Sequence, residues 1–89
     1  MNKLDIIKTG KAGTFESNDI YVVIAPNQGI KIEIESPVMA QFGDRIREVI
    51  EETLQTNNVK NIYVKAQDKG ALDFTIRARV ETALNRAAK

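Results

Sequence analysis

An α+β two-layer sandwich is the fold class this sequence predicts, with elements in the order β-β-β-α-β-α and a mostly antiparallel sheet carrying two helices on one face. Three observations predict it. Ile20-Tyr21-Val22-Val23-Ile24-Ala25 is a continuous β-branched and aromatic run, which suits a pleated surface. Ile30-Lys31-Ile32-Glu33-Ile34-Glu35 alternates apolar and charged residues at period two. Two later segments repeat apolar residues at helical spacing. Sheets and helices that each carry one apolar face bury them by stacking in layers.

Residues 1–11 set Leu4, Ile6 and Ile7 among Lys3 and Lys8 ahead of Gly10, and read either as a short edge strand or as a frayed lead-in. Gly10-Lys11-Ala12-Gly13 has the GxxG spacing of the backbone clamp in KH domains. That clamp joins two helices, whereas this one precedes strand-like sequence. Thr14-Phe15-Glu16 reads as the first short strand and Ser17-Asn18-Asp19 as a turn, because Asn, Asp and Ser side chains bond the local backbone. Ser17 then becomes an exposed loop-tip hydroxyl, with Phe15 beside it as an anchor pinning the loop to the core. The continuous run Ile20–Ala25 predicts a central strand covered at least partly on both faces. Pro26-Asn27-Gln28-Gly29 is turn chemistry, so the alternating strand that follows is expected to pair with Ile20–Ala25 as an antiparallel hairpin.

Ser36 is an expected N-cap and Pro37 an expected first helical residue. Met39, Phe42, Ile46, Val49, Ile50 and Leu54 form the inward stripe of that helix. Gly43 within it implies close approach by another element, since glycine in a helix costs roughly 1 kcal/mol against alanine. Asn57-Asn58 reads as a stop, and Val59 to Ala66 as a strand with Ile62 and Val64 on one face and Tyr63 on the other. Gln67-Asp68-Lys69-Gly70 is a loop in which Asp68 is expected to cap the next element. Ala71 to Ala88 predicts a second helix with Leu72, Ile76, Val80, Ala83, Leu84 and Ala87 inward; Leu72, Phe74, Ile76 and Ala78 also alternate as a strand would, but the alanine content favours helix. Strand order does not follow from the sequence.

Composition bounds the chemistry. Eighty-nine residues make a single domain with one modest core. Thirteen basic against twelve acidic residues give +1, no electrostatic footprint for nucleic acid. There is no cysteine and no histidine, so disulfides, thiolate metal sites and the usual zinc, copper and haem ligand sets are absent. No apolar run reaches membrane-spanning length, and a cytoplasmic protein without membrane partners is expected. A nucleophilic serine needs an adjacent general base, and no histidine exists to serve Ser17. Asp68 with Asp73, and Glu48, Glu51 and Glu52, read as solvated helix-surface acids before they read as acid–base pairs. Arg77, Arg79 and Lys69 either bind phosphates of a tethered group or form a plain charged face. Glu16 and Asp19 flank Ser17 as a candidate acidic docking patch or as an ordinary soluble loop.

Ala12-Gly13-Thr14-Phe15-Glu16-Ser17 with Asp19, then Gln41-Phe42-Gly43, then Asp68-Lys69-Gly70-Ala71-Leu72-Asp73, resembles the acyl carrier (gamma) subunit of citrate lyase over nearly the whole chain. The chain departs from that pattern at Phe15, where leucine is usual, at Phe74 for cysteine and at Met39 for glutamate. The resemblance implies a single, non-catalytic carrier domain whose Ser17 is joined by a phosphodiester to phosphoribosyl-dephospho-CoA. The thiol of that group would hold acetyl and citryl thioesters while citrate is cleaved to oxaloacetate and acetate. Implied partners are the acyltransferase (alpha) and lyase (beta) subunits, the holo-carrier synthase that attaches the group, and an acetate-activating ligase. The acyl carrier subunit of malonate decarboxylase is the nearest alternative. An RNA-binding or interaction module is the alternative from a different class, and scattered strand aromatics with near-zero net charge argue against RNA.

Overall fold

The computed structural model describes residues 4–89. Its elements are β1 (Gly10–Gly13), β2 (Ile20–Ala25), β3 (Ile30–Glu35), α1 (Met39–Thr56), β4 (Ile62–Asp68) and α2 (Asp73–Ala87). The expected class and element order therefore hold. The four strands form one sheet in the order β1-β2-β4-β3, in which β1–β2 and β2–β4 are antiparallel and β3–β4 is parallel.

That order corrects the expected hairpin. The strands β2 and β3 do run in opposite directions, but β4 lies between them, pairing Ile24 with Val64 on one side and Ile32 with Val64 on the other. Turn residues 26–29 reverse the chain; they do not decide which strand fills the gap. A β3–α1–β4 crossover fills it, as a parallel connection requires a long excursion, usually through a helix. Burial follows position. Ile20, Val22 and Ile24 of β2 and Ile62, Val64 and Ala66 of β4 are fully buried, while at the β3 edge Ile32 and Ile34 are half-buried and Ile30 is exposed. The outward residues Tyr21, Val23 and Ala25 of β2 remain half-exposed, so the helices cover one face only.

The first strand also moves. Thr14-Phe15-Glu16 is loop, and the GxxG segment itself is β1. Its two glycines serve packing and backbone geometry. A Cβ on Gly10 would lie 2.3 Å from the Ala83 carbonyl oxygen, so β1 lies against α2 as only glycine permits. Gly13 has φ +97°, which ends the strand and turns the chain outward. Upstream, Leu4 and Ile6 pack against the core, and Ile6 makes a single antiparallel bridge to Ala88, so this stretch is pinned to the end of α2 without forming a strand. Met1 to Lys3 of the expected lead-in lie outside the described residues.

Both helices begin later than expected. Ser36 does not cap α1: the cap position is Val38, and the Ser36 hydroxyl accepts the Val38 N–H at 3.2 Å while donating to Asp68 Oδ2 at 2.7 Å. Asp68 is 2 % exposed and also accepts the N–H groups of Gly70 and Ala71, so it ties the β4 end to the β3–α1 junction and closes a loop instead of capping α2. Gly43 is buried beneath the Met39 side chain of its own helix, not beneath another element. Asn58, at φ +57°, ends α1 where Asn57-Asn58 predicted. On the inner stripes, Ile46, Val49, Ile50, Leu54, Ile76, Val80, Ala83, Leu84 and Ala87 are buried as expected, whereas Met39, Phe42 and Leu72 are exposed. Met39 and Phe42 sit in the first turn of α1 and Leu72 at the cap of α2.

Candidate functional site

Ser17 lies on the loop of residues 14–19, between β1 and β2, and its side chain is exposed. Among the described residues no hydrogen bond engages its hydroxyl. The loop around it is firmly held. Asn18 takes φ +66° and its N–H donates to the Lys69 carbonyl at 2.8 Å, while the Lys69 N–H donates to the Asp19 carbonyl at 2.8 Å. These bonds continue the β2–β4 pairing, which ends at Ile20 and Asp68. Gly13 sends the chain out of the sheet, and β4 takes it back five residues later at Asn18.

Asp19 is the loop's electrostatic anchor. Its carboxylate accepts Arg79 Nε at 3.0 Å and the second guanidinium nitrogen at 2.8 Å, a two-pronged bond across sixty positions of sequence. It also accepts the Thr14 hydroxyl and the Ile20 N–H, each at 2.7 Å. The Arg79 hydrogen bonds are the largest cause that holds the Asp19 carboxyl well below the usual carboxylate range; partial burial opposes them, and the Thr14 and Ile20 bonds reinforce them. The same pair raises the Arg79 guanidinium. On the open side of the sheet, Phe15 lies against Tyr21 with ring centroids 4.7 Å apart and planes at 40°. Phe15 is 56 % exposed, so it pins the loop to the sheet's open face and not to the core.

This geometry sorts the residues proposed from sequence. Ser17 is presented at the loop surface. Asp19 turns inward to Arg79 and is not a free docking acid, whereas Glu16 faces solvent. Arg79 clamps the loop and is not available as part of a phosphate-binding face; Lys69 sits beside the loop with an exposed side chain and no ion pair among the described residues. Asp73 does not meet Asp68 as a carboxylate pair: it accepts Arg45 at 2.6 Å, and Arg45 also meets Glu48, joining α1 to α2. The Asp19–Arg79 clamp left no local signal in the sequence. Only the cluster Ser17-Asn18-Asp19 signalled local side-chain bonding there.

A cleft of about 460 Å³ opens between the first turns of α1 and α2, lined by Phe42, Ile46, Leu72 and Ile76 and closed at one end by the Asp68–Ala71 loop. No helix among the described residues is long and apolar enough to cross a membrane.

Comparison with known proteins gives a consistent result. The family profile described as "Malonate decarboxylase delta subunit (MdcD)", an acyl carrier family, matches residues 7–87. The citrate lyase acyl carrier protein of Halothermothrix orenii is 49 % identical over 97 % of this chain and 93 % of its own length. That of Streptococcus mutans is 53 % identical over 97 % of this chain and 86 % of its own. Among solved structures, a chain of a Pseudomonas malonate decarboxylase hetero-tetramer in complex with malonate superposes with TM-score 0.79 at 19 % identity, over 94 % of this chain and 87 % of that one, a likeness of fold. With near-full-length identity at this level and a core fold shared beyond it, the chain belongs to the citrate lyase acyl carrier protein family.

Proposed function

We propose that this chain is the acyl carrier subunit of a cytoplasmic citrate lyase and that Ser17 is the point at which phosphoribosyl-dephospho-CoA is attached. The observation that carries the reading is the presentation of Ser17: an exposed hydroxyl with no hydrogen-bond partner among the described residues, on a loop fixed from both sides. The residues present fit such a group. The hydroxyl, with no hydrogen-bond partner among the described residues, can form a phosphodiester, and Lys69, without an ion pair among them, directly follows β4 where its backbone bonds Asn18 and Asp19.

Attachment uses the Ser17 oxygen as nucleophile: an Oγ–P bond forms, the leaving group departs from phosphorus, and the hydroxyl proton passes to a base. No histidine exists in this chain, so that base belongs to the attaching synthase. Once bound, the group supplies the thiol that a cysteine-free chain lacks, and with it the capacity to hold acyl groups as thioesters. The chain's own contribution is to anchor one end of that arm, so that its acyl group meets the acyltransferase and lyase subunits, and the acetate-activating ligase, as an intramolecular reactant at high effective concentration.

Ser17→Ala is expected to fold normally, to acquire no added mass when isolated from a host grown on citrate, and to leave the assembled complex without lyase activity. Retained activity would reject the assignment. The description of the matching family keeps a malonate decarboxylase carrier as the second reading. Supplying citrate or malonate to the assembled complex separates the two, since each reading expects turnover of one acid only.

A further inference from the structure

The cleft between the first turns of α1 and α2 stands beside the Ser17 loop. Its closed end is formed by Asp68, Gly70 and Ala71. The Ser17 loop is bonded to this same segment through Asn18 and Lys69, and a Cβ on Gly70 would lie 3.6 Å from Asn18 Oδ1. The residue after Ser17 thus touches the cleft wall. The cleft floor is Ile46 and Ile76, buried in the core, and its rims are Phe42 and Leu72, 54 % and 62 % exposed. Its volume falls within the range of roughly 300–1,000 Å³ that small-molecule sites occupy. Besides the buried Asp68, the charged residues of the lining are Arg45 and Asp73, which are paired with each other across the two helices.

We infer that this cleft is an intramolecular resting site for the pantetheine end of the arm attached to Ser17. The inference rests on the carrier reading given above. An arm fixed at Ser17 starts one residue from the Asn18–Gly70 contact, with its less polar, thiol-bearing end within reach of the Phe42–Leu72 rims. Because the arm is tethered, the site needs little intrinsic affinity to be occupied; a short link sets effective concentrations in the millimolar range. Occupation shields the thiol and its acyl group from bulk solvent between visits to partner enzymes.

The chain has no cysteine, so every thiol of the loaded protein belongs to the arm, and a thiol reagent reads its exposure without interference. The experiment compares the loaded full-length protein with its Phe42→Ser/Leu72→Ser variant and with each protein in denaturant. Loading on Ser17 is first verified by peptide mass. The rims are exposed, so the variant is expected to keep its thermal stability. The loaded native protein is expected to react about tenfold more slowly than in denaturant, the size of effect that burying one or two apolar groups produces. The variant should lose that protection, and methyl resonances of Ile46 and Ile76 should shift between apo and loaded native protein. A verified loaded protein that reacts as fast folded as unfolded overturns the resting site and leaves the carrier reading intact. Shifts at Ile46 and Ile76 that appear in the apo protein only as its concentration rises would assign the cleft to a second copy of the chain, and overturn the inference too. A native preparation with no mass on Ser17 overturns the carrier reading itself, and the resting site with it.

Discussion

Asp19 shows how one side chain sets the shape of the loop that carries Ser17. Its two oxygens are shared among Arg79, Thr14 and the Ile20 N–H, so removing it frees two side chains and a strand-end donor at once. Arg79→Ala is expected to cost about 1 kcal/mol, kept small because the guanidinium is partly in water, and to speed amide exchange at Asn18 and Ile20 more than in the core. The pH dependence has a definite sign. A carboxyl whose folded value is depressed contributes stability that is fully present above its unfolded value and lost as pH falls through the folded one. The contribution of Asp19 should therefore be complete above about pH 4 and decline below it, and urea melts of wild type and Asp19→Asn should converge as the pH is lowered from 5. A constant gap between them would exclude the ion pair as the cause. The serine-bearing turn was legible because Ser, Asn and Asp occur together. The clamp was not, because Arg79 and Asp19 meet only after β2 and α2 have packed.

At the level of elements, periodicity predicted nearly everything that a core can enforce. The inner faces of β2, β4, α1 and α2 follow the apolar pattern because misplacing one Ile or Leu there forfeits burial worth about 1.5–3 kcal/mol. The misreadings fall where that constraint lapses. Thr14-Phe15-Glu16 has strand-like residues, yet Gly13 has already turned the chain, and the Thr14 hydroxyl accepts the Glu16 N–H within the loop. Met39, Phe42 and Leu72 continue the helical stripe at the helix starts, where they are in register with the core but exposed. Gly10 gives the sharpest test at this scale. Gly10→Ala should push β1 from α2, because its Cβ would lie 2.3 Å from the Ala83 carbonyl and 2.7 Å from the Ala87 nitrogen. A loss of about 2 kcal/mol or more in thermal or urea melts is expected, whereas Gly29→Ala meets no atom within 4 Å and strains only the turn, at φ +75°.

Across the molecule, β4 is the keystone: it pairs with β2 on one side and β3 on the other, and its Ile62, Val64 and Ala66 side chains are wholly buried. A domain of this size has a total stability of roughly 5–13 kcal/mol, so Val64→Ala, at about 2 kcal/mol or more, removes a large share of it. It should lower the urea midpoint without changing the slope, as expected for a two-state unit. Strand order was the least legible property, since the same turn chemistry and alternation serve neighbours in a hairpin or strands separated by one position.

The central place of β4 also fixes a sequence of events in time. The loop that presents Ser17 is completed by Lys69 and by Arg79, the latter sixty residues further along than Asp19. A growing polypeptide emerging from the ribosome therefore exposes Ser17 long before it can hold that serine in its native setting. On the proposed carrier reading, an attaching enzyme that recognises the folded loop would have to wait for nearly complete synthesis, and incomplete products would escape modification. Chains truncated ahead of Lys69 should then remain unlabelled although they contain Ser17. Full-rate labelling of such fragments would mean that the enzyme reads the local peptide alone.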